Sequence, residues 1–132
     1  EEDRMRAVST RRAPLPAGHY AQAIVHGGVV YVAGQLPIDP QAAEQRMGSV
    51  EEQTERALRN LGVILEAAGS NLDRVLKTTV YVTDIRLWDR VNAVYARVFG
   101  QHRPARTVVP VSELHHGVLV EIEAVAALEG RE

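Results

Sequence analysis

Apolar residues recur along this chain in two periods, and the switches between them predict its elements. Tyr20 to Val25 (YAQAIV) and Val29 to Ala33 (VVYVA) are short β-branched or aromatic runs that read as strands. His26-Gly27-Gly28 stands between them, and paired glycines between apolar runs mark a hairpin. Gly34 interrupts the second run, which predicts a bulge or a close approach to the backbone. Leu36 to Pro40 carries two prolines without an N–H, so it reads as an edge or loop continuing through Met47.

The period then changes. Val50, Thr54, Ala57, Leu58, Leu61, Ile64, Leu65 and Ala68 recur at three- and four-residue steps, one face of a helix. Ser49 and Glu52 have the capping-box spacing at its start, and Gly69 suits a left-handed cap at its end. Val75 to Thr83 reads as a strand, with Lys77, Thr79, Tyr81 and Thr83 on one face and Leu76, Thr78, Val80 and Val82 on the other. Asp84 is placed to cap a second helix with the stripe Leu87, Trp88, Val91, Val94, Tyr95 and Val98, which Gly100 ends. Ala105 to Val111 contains Pro110 and reads as an edge or bulged strand. In Val118 to Ala126, Val118, Val120, Ile122, Ala124 and Ala126 share one face, opposite Leu119, Glu121, Glu123 and Val125.

The predicted order is β-β-α-β-α-β-β. This is an α/β (α+β) chain with two helices packed on one face of a mixed sheet. The other face, half apolar, is left uncovered, which predicts a closed homo-oligomer. With 132 residues, 45% apolar and 24% charged, the chain suits one ordinary globular domain, placed at residues 13–130. Residues 1–12 are charged with almost no apolar content and are expected to be a flexible tail. No apolar stretch follows their basic residues as in a signal peptide, and a cytoplasmic location is the default expectation. No run approaches the roughly 18 apolar residues of a membrane span.

Fifteen Lys and Arg against seventeen Asp and Glu give a net charge of −2, without the basic field of a nucleic-acid binder. The absence of cysteine excludes disulfides, Cys-ligated metals and thiol nucleophiles. The five histidines lack metal-ligand spacing, and adjacent His115 and His116 are expected to point to opposite sides. No phosphate loop and no nucleophile elbow is present, so neither metal nor cofactor is expected. What remains is Arg106 and Glu121. An arginine among apolar strand residues needs an anion. Two readings fit: a structural pair with Glu121, Glu123 or Asp39, or a bidentate clamp for a substrate carboxylate. Glu121 and Glu123 share a face, as a solvated or intersubunit-paired stripe or as site residues.

Six separated segments in register carry a resemblance. They are Gly18-His19-Tyr20-Ala21-Gln22, Val32-Ala33-Gly34-Gln35-Leu36-Pro37, Glu66-Ala67-Ala68-Gly69 leading into Lys77-Thr78-Thr79-Val80-Tyr81-Val82, Val91-Asn92-Ala93-Val94-Tyr95, Arg103-Pro104-Ala105-Arg106-Thr107, and Val120 to Ala126. From about Ala13 to Ala126 the chain resembles the RidA/YjgF family of enamine/imine deaminases. The resemblance implies a chorismate-mutase-like fold and a homotrimer with a central β-barrel and intersubunit active sites. It implies hydrolytic deamination of 2-aminoacrylate-type enamines or 2-imino acids, released by PLP-dependent dehydratases, to 2-keto acids and ammonia. It assigns catalytic roles to Arg106, Glu121 and Tyr20, and substrate binding to Gly34, Asn92 and Arg106. No cofactor, metal, nucleic acid or membrane is implied.

The chain departs from the family's commoner pattern at Ala33, Arg103, Val108 and Pro110 to Gly117. Arg103 is a candidate for recognising a second anionic group, against a surface ion pair. The alternatives to fast deamination are a carboxylate-binding regulatory trimer and a specialised relative acting on a dedicated pathway intermediate. A ribonuclease role ranks last, because one Trp and one Phe offer no stacking platform for single strands.

Overall fold

The paired glycines turn the chain as expected: Gly27 and Gly28 have φ of 61° and 81°, the two positive values a tight hairpin turn demands. They join strands β2 (Ala23–His26) and β3 (Val29–Gln35) in antiparallel register. The computed structural model describes residues 4–130. Beyond the hairpin come helix α1 (Val50–Ala68), strand β4 (Val75–Val82), helix α2 (Trp88–Phe99) and strands β5 (Ala105–Pro110) and β6 (Val120–Ala127). One strand precedes them all, β1 (Arg6–Val8).

That strand corrects the expected flexible tail at residues 1–12; residues 1–3 lie outside the described residues. Arg6 to Val8 pair antiparallel with Val25 to Ala23. Val8 and Ala13 are buried. Buried Gln22 bonds through its side chain to the Thr10 N–H and to the Thr10 and Pro14 carbonyls. Backbone pairing is indifferent to the exposed side chains of an edge strand, so composition carried no sign of it.

The sheet has the order β1-β2-β3-β6-β4-β5, with β4 and β5 parallel and all other pairs antiparallel. Both helices lie on one face, the mixed α+β arrangement read from the pattern. Ser49 caps α1 in the predicted box: its Oγ accepts from the Glu52 N–H at 3.1 Å, and its own N–H donates to Glu52 Oε1 at 2.8 Å. Gly69 ends the helix at φ 94°. The stripe Leu58, Leu61, Ile64 and Leu65 is wholly buried against the sheet, worth about 2 kcal/mol per side chain. Asp84 caps the short turn Ile85–Leu87 ahead of α2, accepting from the Arg86 N–H at 2.9 Å, and not α2 itself.

The expected faces of β4 hold from Thr78 to Val82 but fail at Leu76, which is 51% exposed. A register shift between Val75 and Lys77 inserts a bulge and turns Leu76 away from the core. Pro110 closes β5, an edge strand hydrogen-bonded to β4 alone, where its missing N–H leaves no ladder bond broken. The face away from the helices carries Tyr31, Thr79, Tyr81, Glu121, Glu123 and Val125, and Tyr31 is 50% exposed there. Among the described residues no helix is long and apolar enough to cross a membrane.

Candidate functional site

Trp88, Asn92 and Tyr95 stand four and three residues apart on α2 and so share one side of it. That side faces β5. Arg106 registers with buried Thr78 of β4, which turns its side chain to the helix face of the sheet. Its Nη1 donates to Asn92 Oδ1 at 2.8 Å. The guanidinium carbon lies 4.7 Å from the Tyr95 ring centroid and 5.3 Å from that of Trp88. Two aromatic faces hold the cation without neutralising it. The Tyr95 hydroxyl is in turn fixed by a 2.7 Å hydrogen bond with Thr78 Oγ1, and burial pushes its phenol up.

Among the described residues no carboxylate forms an ion pair with Arg106. Of the two readings left open by the sequence, the internal pair with Glu121, Glu123 or Asp39 is therefore absent. The guanidinium borders a cavity of about 480 Å³ that Arg103, His102 and Tyr95 also line. Arg103 is exposed on its rim.

Glu121 is built differently. It projects from β6 on the face away from the helices, beside the bulge that shifts β3 between Val32 and Gln35. Gly34 sits in that bulge. A Cβ on Gly34 would fall 2.0 Å from Glu121 Oε2 and 3.0 Å from its Cδ. Gly34 is thus the residue that makes room for the carboxylate. Burial pushes the Glu121 carboxyl above its ordinary range, the neighbouring Glu123 charge adds to this, and His115 opposes it. Glu123 accepts a 3.3 Å hydrogen bond from the Tyr81 hydroxyl.

Tyr20 stands on the loop before β2, half exposed, its hydroxyl accepting from the Ala17 N–H at 3.2 Å. With Gly34, His116 and the apolar side chains of Leu15, Leu36, Ile38 and Met47, it lines a cleft of about 560 Å³. Helix α1 holds the far wall: Asn60 Nδ2 donates to the Leu36 and Ile38 carbonyls at 3.0 and 2.8 Å, and Arg56 Nη1 donates to that of Pro37 at 3.0 Å. His115 and His116 do not point to opposite sides. His116 adopts φ 63°, and the rings stack at 4.0 Å with 12° between their planes.

The expected site residues thus fall into two groups within one chain. Arg106 and Asn92 lie under α2. Tyr20, Gly34 and Glu121 lie across the sheet. β5 and β6 flank β4, and Arg106 and Glu121 register with Thr78 and Tyr81 there. Two strand spacings and three residues of rise separate their Cα atoms by about 14 Å, on opposite faces. The pattern missed Trp88 and Tyr95, which read only as packing positions. Their spacing around Asn92, opposite a strand arginine, was the available signal.

Comparison with known proteins places the chain in a family. The family model described as endoribonuclease L-PSP matches residues 10–128, a span that includes Tyr20, Gly34, Asn92, Arg106 and Glu121. A RutC family protein of Pyrococcus abyssi is 46% identical over 122 residues, 92% of this chain and 96% of its own. The human 2-iminobutanoate/2-iminopropanoate deaminase is 40% identical over 121 residues, 92% of this chain and 88% of its own. The crystal structure of RidA from the Antarctic bacterium Psychrobacter sp. superposes with a TM-score of 0.88 at 36% identity, covering 93% of this chain and 99% of that one. The chain belongs to the RidA/YjgF family. Its six-stranded sheet with two helices on one face is the RidA fold, and the RidA relationship covers both groups of site residues.

Proposed function

We propose that this RidA-family chain is a hydrolytic deaminase of small 2-imino acids and their 2-aminoacrylate-type enamine tautomers, working as a homotrimer with its sites between subunits. The observation that carries the reading is Arg106. It is a cation clasped by an amide and two aromatic rings, without a carboxylate partner, at the edge of a cavity. A guanidinium kept this way is suited to a carboxylate from outside the chain. The name of the human relative, 40% identical, supports the same substrate class.

The division of the site supports assembly. Arg106 and Glu121 cannot reach one small substrate within one subunit, but a neighbour packed on the open face can bring its Arg106 to this chain's Glu121. In that arrangement Arg106 holds the substrate carboxylate through paired hydrogen bonds, fixing the imine carbon. Glu121, its carboxyl raised above the ordinary range by burial and by the Glu123 charge, takes a proton from the attacking water. Tyr20 and the Gly34 backbone complete the wall. The imine carbon is already electrophilic, so the protein's share is position and proton transfer.

The test is ammonia and keto-acid release from a serine or threonine dehydratase reaction with and without the protein. Acceleration is expected, and Arg106→Ala should lose about 10²–10³-fold in kcat/KM, the loss of a charged clamp. Keto-acid binding without acceleration would instead identify a regulatory trimer. Wild-type turnover by the Arg106 variant would remove the clamp.

A further inference from the structure

Two spaces meet at Arg106. One is the cavity of about 480 Å³ that Tyr95 and Arg103 also line. The other, among Trp88, Val80, Val82, Val91 and Val108, is too tight to admit water. Trp88 and Tyr95 both stand within the roughly 6 Å at which an aromatic ring attracts a cation, at 5.3 and 4.7 Å from the guanidinium carbon. The Tyr95 ring is itself fixed. It is buried, its hydroxyl is bonded to Thr78 Oγ1 at 2.7 Å, and its centroid lies 4.6 Å from that of Phe99. Asn92 accepts from Nη1 at 2.8 Å and is the one hydrogen-bond partner of the guanidinium among the described residues. Nε and Nη2, the side-on edge of the fork, are left for a ligand.

We propose that Trp88 and Tyr95 are positioning residues for the carboxylate clamp, holding the Arg106 side chain in its binding geometry before the substrate arrives. The inference rests on the deaminase reading and deepens it, and a direct binding measurement separates the two. An arginine loose in water has several rotatable bonds, and a ligand that orders them loses affinity to their entropy. Here the ordering is done by the fold. An ion pair would hold the side chain as firmly, but its carboxylate would occupy the donors and compete with substrate. An aromatic ring attracts the charge through its face and uses none of the N–H groups. The dry space beside Trp88 adds to this, because charge interactions strengthen where water is excluded. The carboxylate itself is unchanged as the C–N bond breaks, so a better clamp binds substrate and transition state alike. The effect therefore falls on KM and not on kcat.

Turnover in the dehydratase-coupled assay is measured beside calorimetric binding of pyruvate, the keto acid that 2-iminopropanoate yields, on wild type, Trp88→Leu, Trp88→Phe and Tyr95→Phe. Trp88 is 38% exposed, so leucine there leaves the core intact. Trp88→Leu should raise KM and the pyruvate Kd about tenfold, the worth of a cation–π contact, with kcat within about twofold. Trp88→Phe keeps a ring and should recover most of that affinity. Tyr95→Phe keeps its ring but loses the Thr78 anchor, and should raise KM about threefold. Trp88 is the one tryptophan of the chain, so pyruvate should also change wild-type tryptophan emission saturably, and neutral pyruvamide should not. A Trp88→Leu protein with wild-type KM and Kd overturns the proposal, as does a loss confined to kcat or one that phenylalanine does not restore. Should Trp88→Leu fail to fold, wild-type emission decides, and emission that pyruvate leaves unmoved overturns the proposal. If wild type gives no acceleration but Trp88→Leu still weakens pyruvate binding, the deaminase reading falls and the positioning role stands. If wild type accelerates and Trp88→Leu matches it, the positioning role alone falls.

Discussion

Gly34→Ala separates the role of Glu121 from the stability of the fold. Gly34 is not among the glycines with positive φ, so alanine meets no left-handed penalty, and losing glycine's freedom in the unfolded chain stabilises by about 0.5–1 kcal/mol. Against this stands a steric conflict: the new methyl would lie 2.0 Å from Glu121 Oε2 and 3.0 Å from Cδ. Ordinary contact needs about 3.4 Å or more, so the carboxylate must retreat by more than 1 Å. A side chain pushed off its rotamer costs about 0.5–1.5 kcal/mol. The two effects nearly cancel, and the melting temperature should move by no more than a few degrees. Catalysis has no such compensation. A displacement of about 1 Å in a group that orients water costs about 10²-fold in rate. The assay is dehydratase-coupled ammonia release beside a thermal melt. A variant that melts like wild type and turns over about 100-fold more slowly is expected. Full activity in the folded variant would show that the Glu121 position beside Gly34 is not the working one, and the proposed base role would be withdrawn.

Two further outcomes follow from the same geometry. Glu123→Gln removes a like charge that raises the Glu121 carboxyl. The Glu121 pKa should fall, and the acid limb of the kcat profile should move to lower pH, because the ionised form is the base; a limb that stays or rises contradicts the assignment. Arg103→Ala should slow a dicarboxylate imine about fivefold more than a monocarboxylate one, the worth of an exposed ion pair; equal effects on both would remove Arg103 from recognition.

Much of this protein was legible without coordinates. The capping box at Ser49 and Glu52, the turn at Gly27-Gly28 and the α1 stripe are local, because each involves residues within four positions of one another, and local geometry follows from residue type. The alternation along β6 assigned Glu121 to the face away from the helices for the same reason. The bulge at Gly34 was visible as a glycine inside an apolar run, although its purpose was not.

Only the tertiary structure decided how the pieces meet. Strand order is non-local: β6 enters between β3 and β4, and that brings Glu121 of the last strand beside Gly34 of the third. No periodicity encodes this neighbour. The strand at Arg6–Val8 was hidden because it is held by backbone pairing with β2, not by an apolar pattern. The stacking of His115 on His116 depends on a single positive φ, which two adjacent histidines do not announce. Arg106 and Glu121 could be named from the sequence as candidate site residues. That they lie on opposite faces of one sheet follows from the register of β4 with both its neighbours, which only the packed sheet fixes.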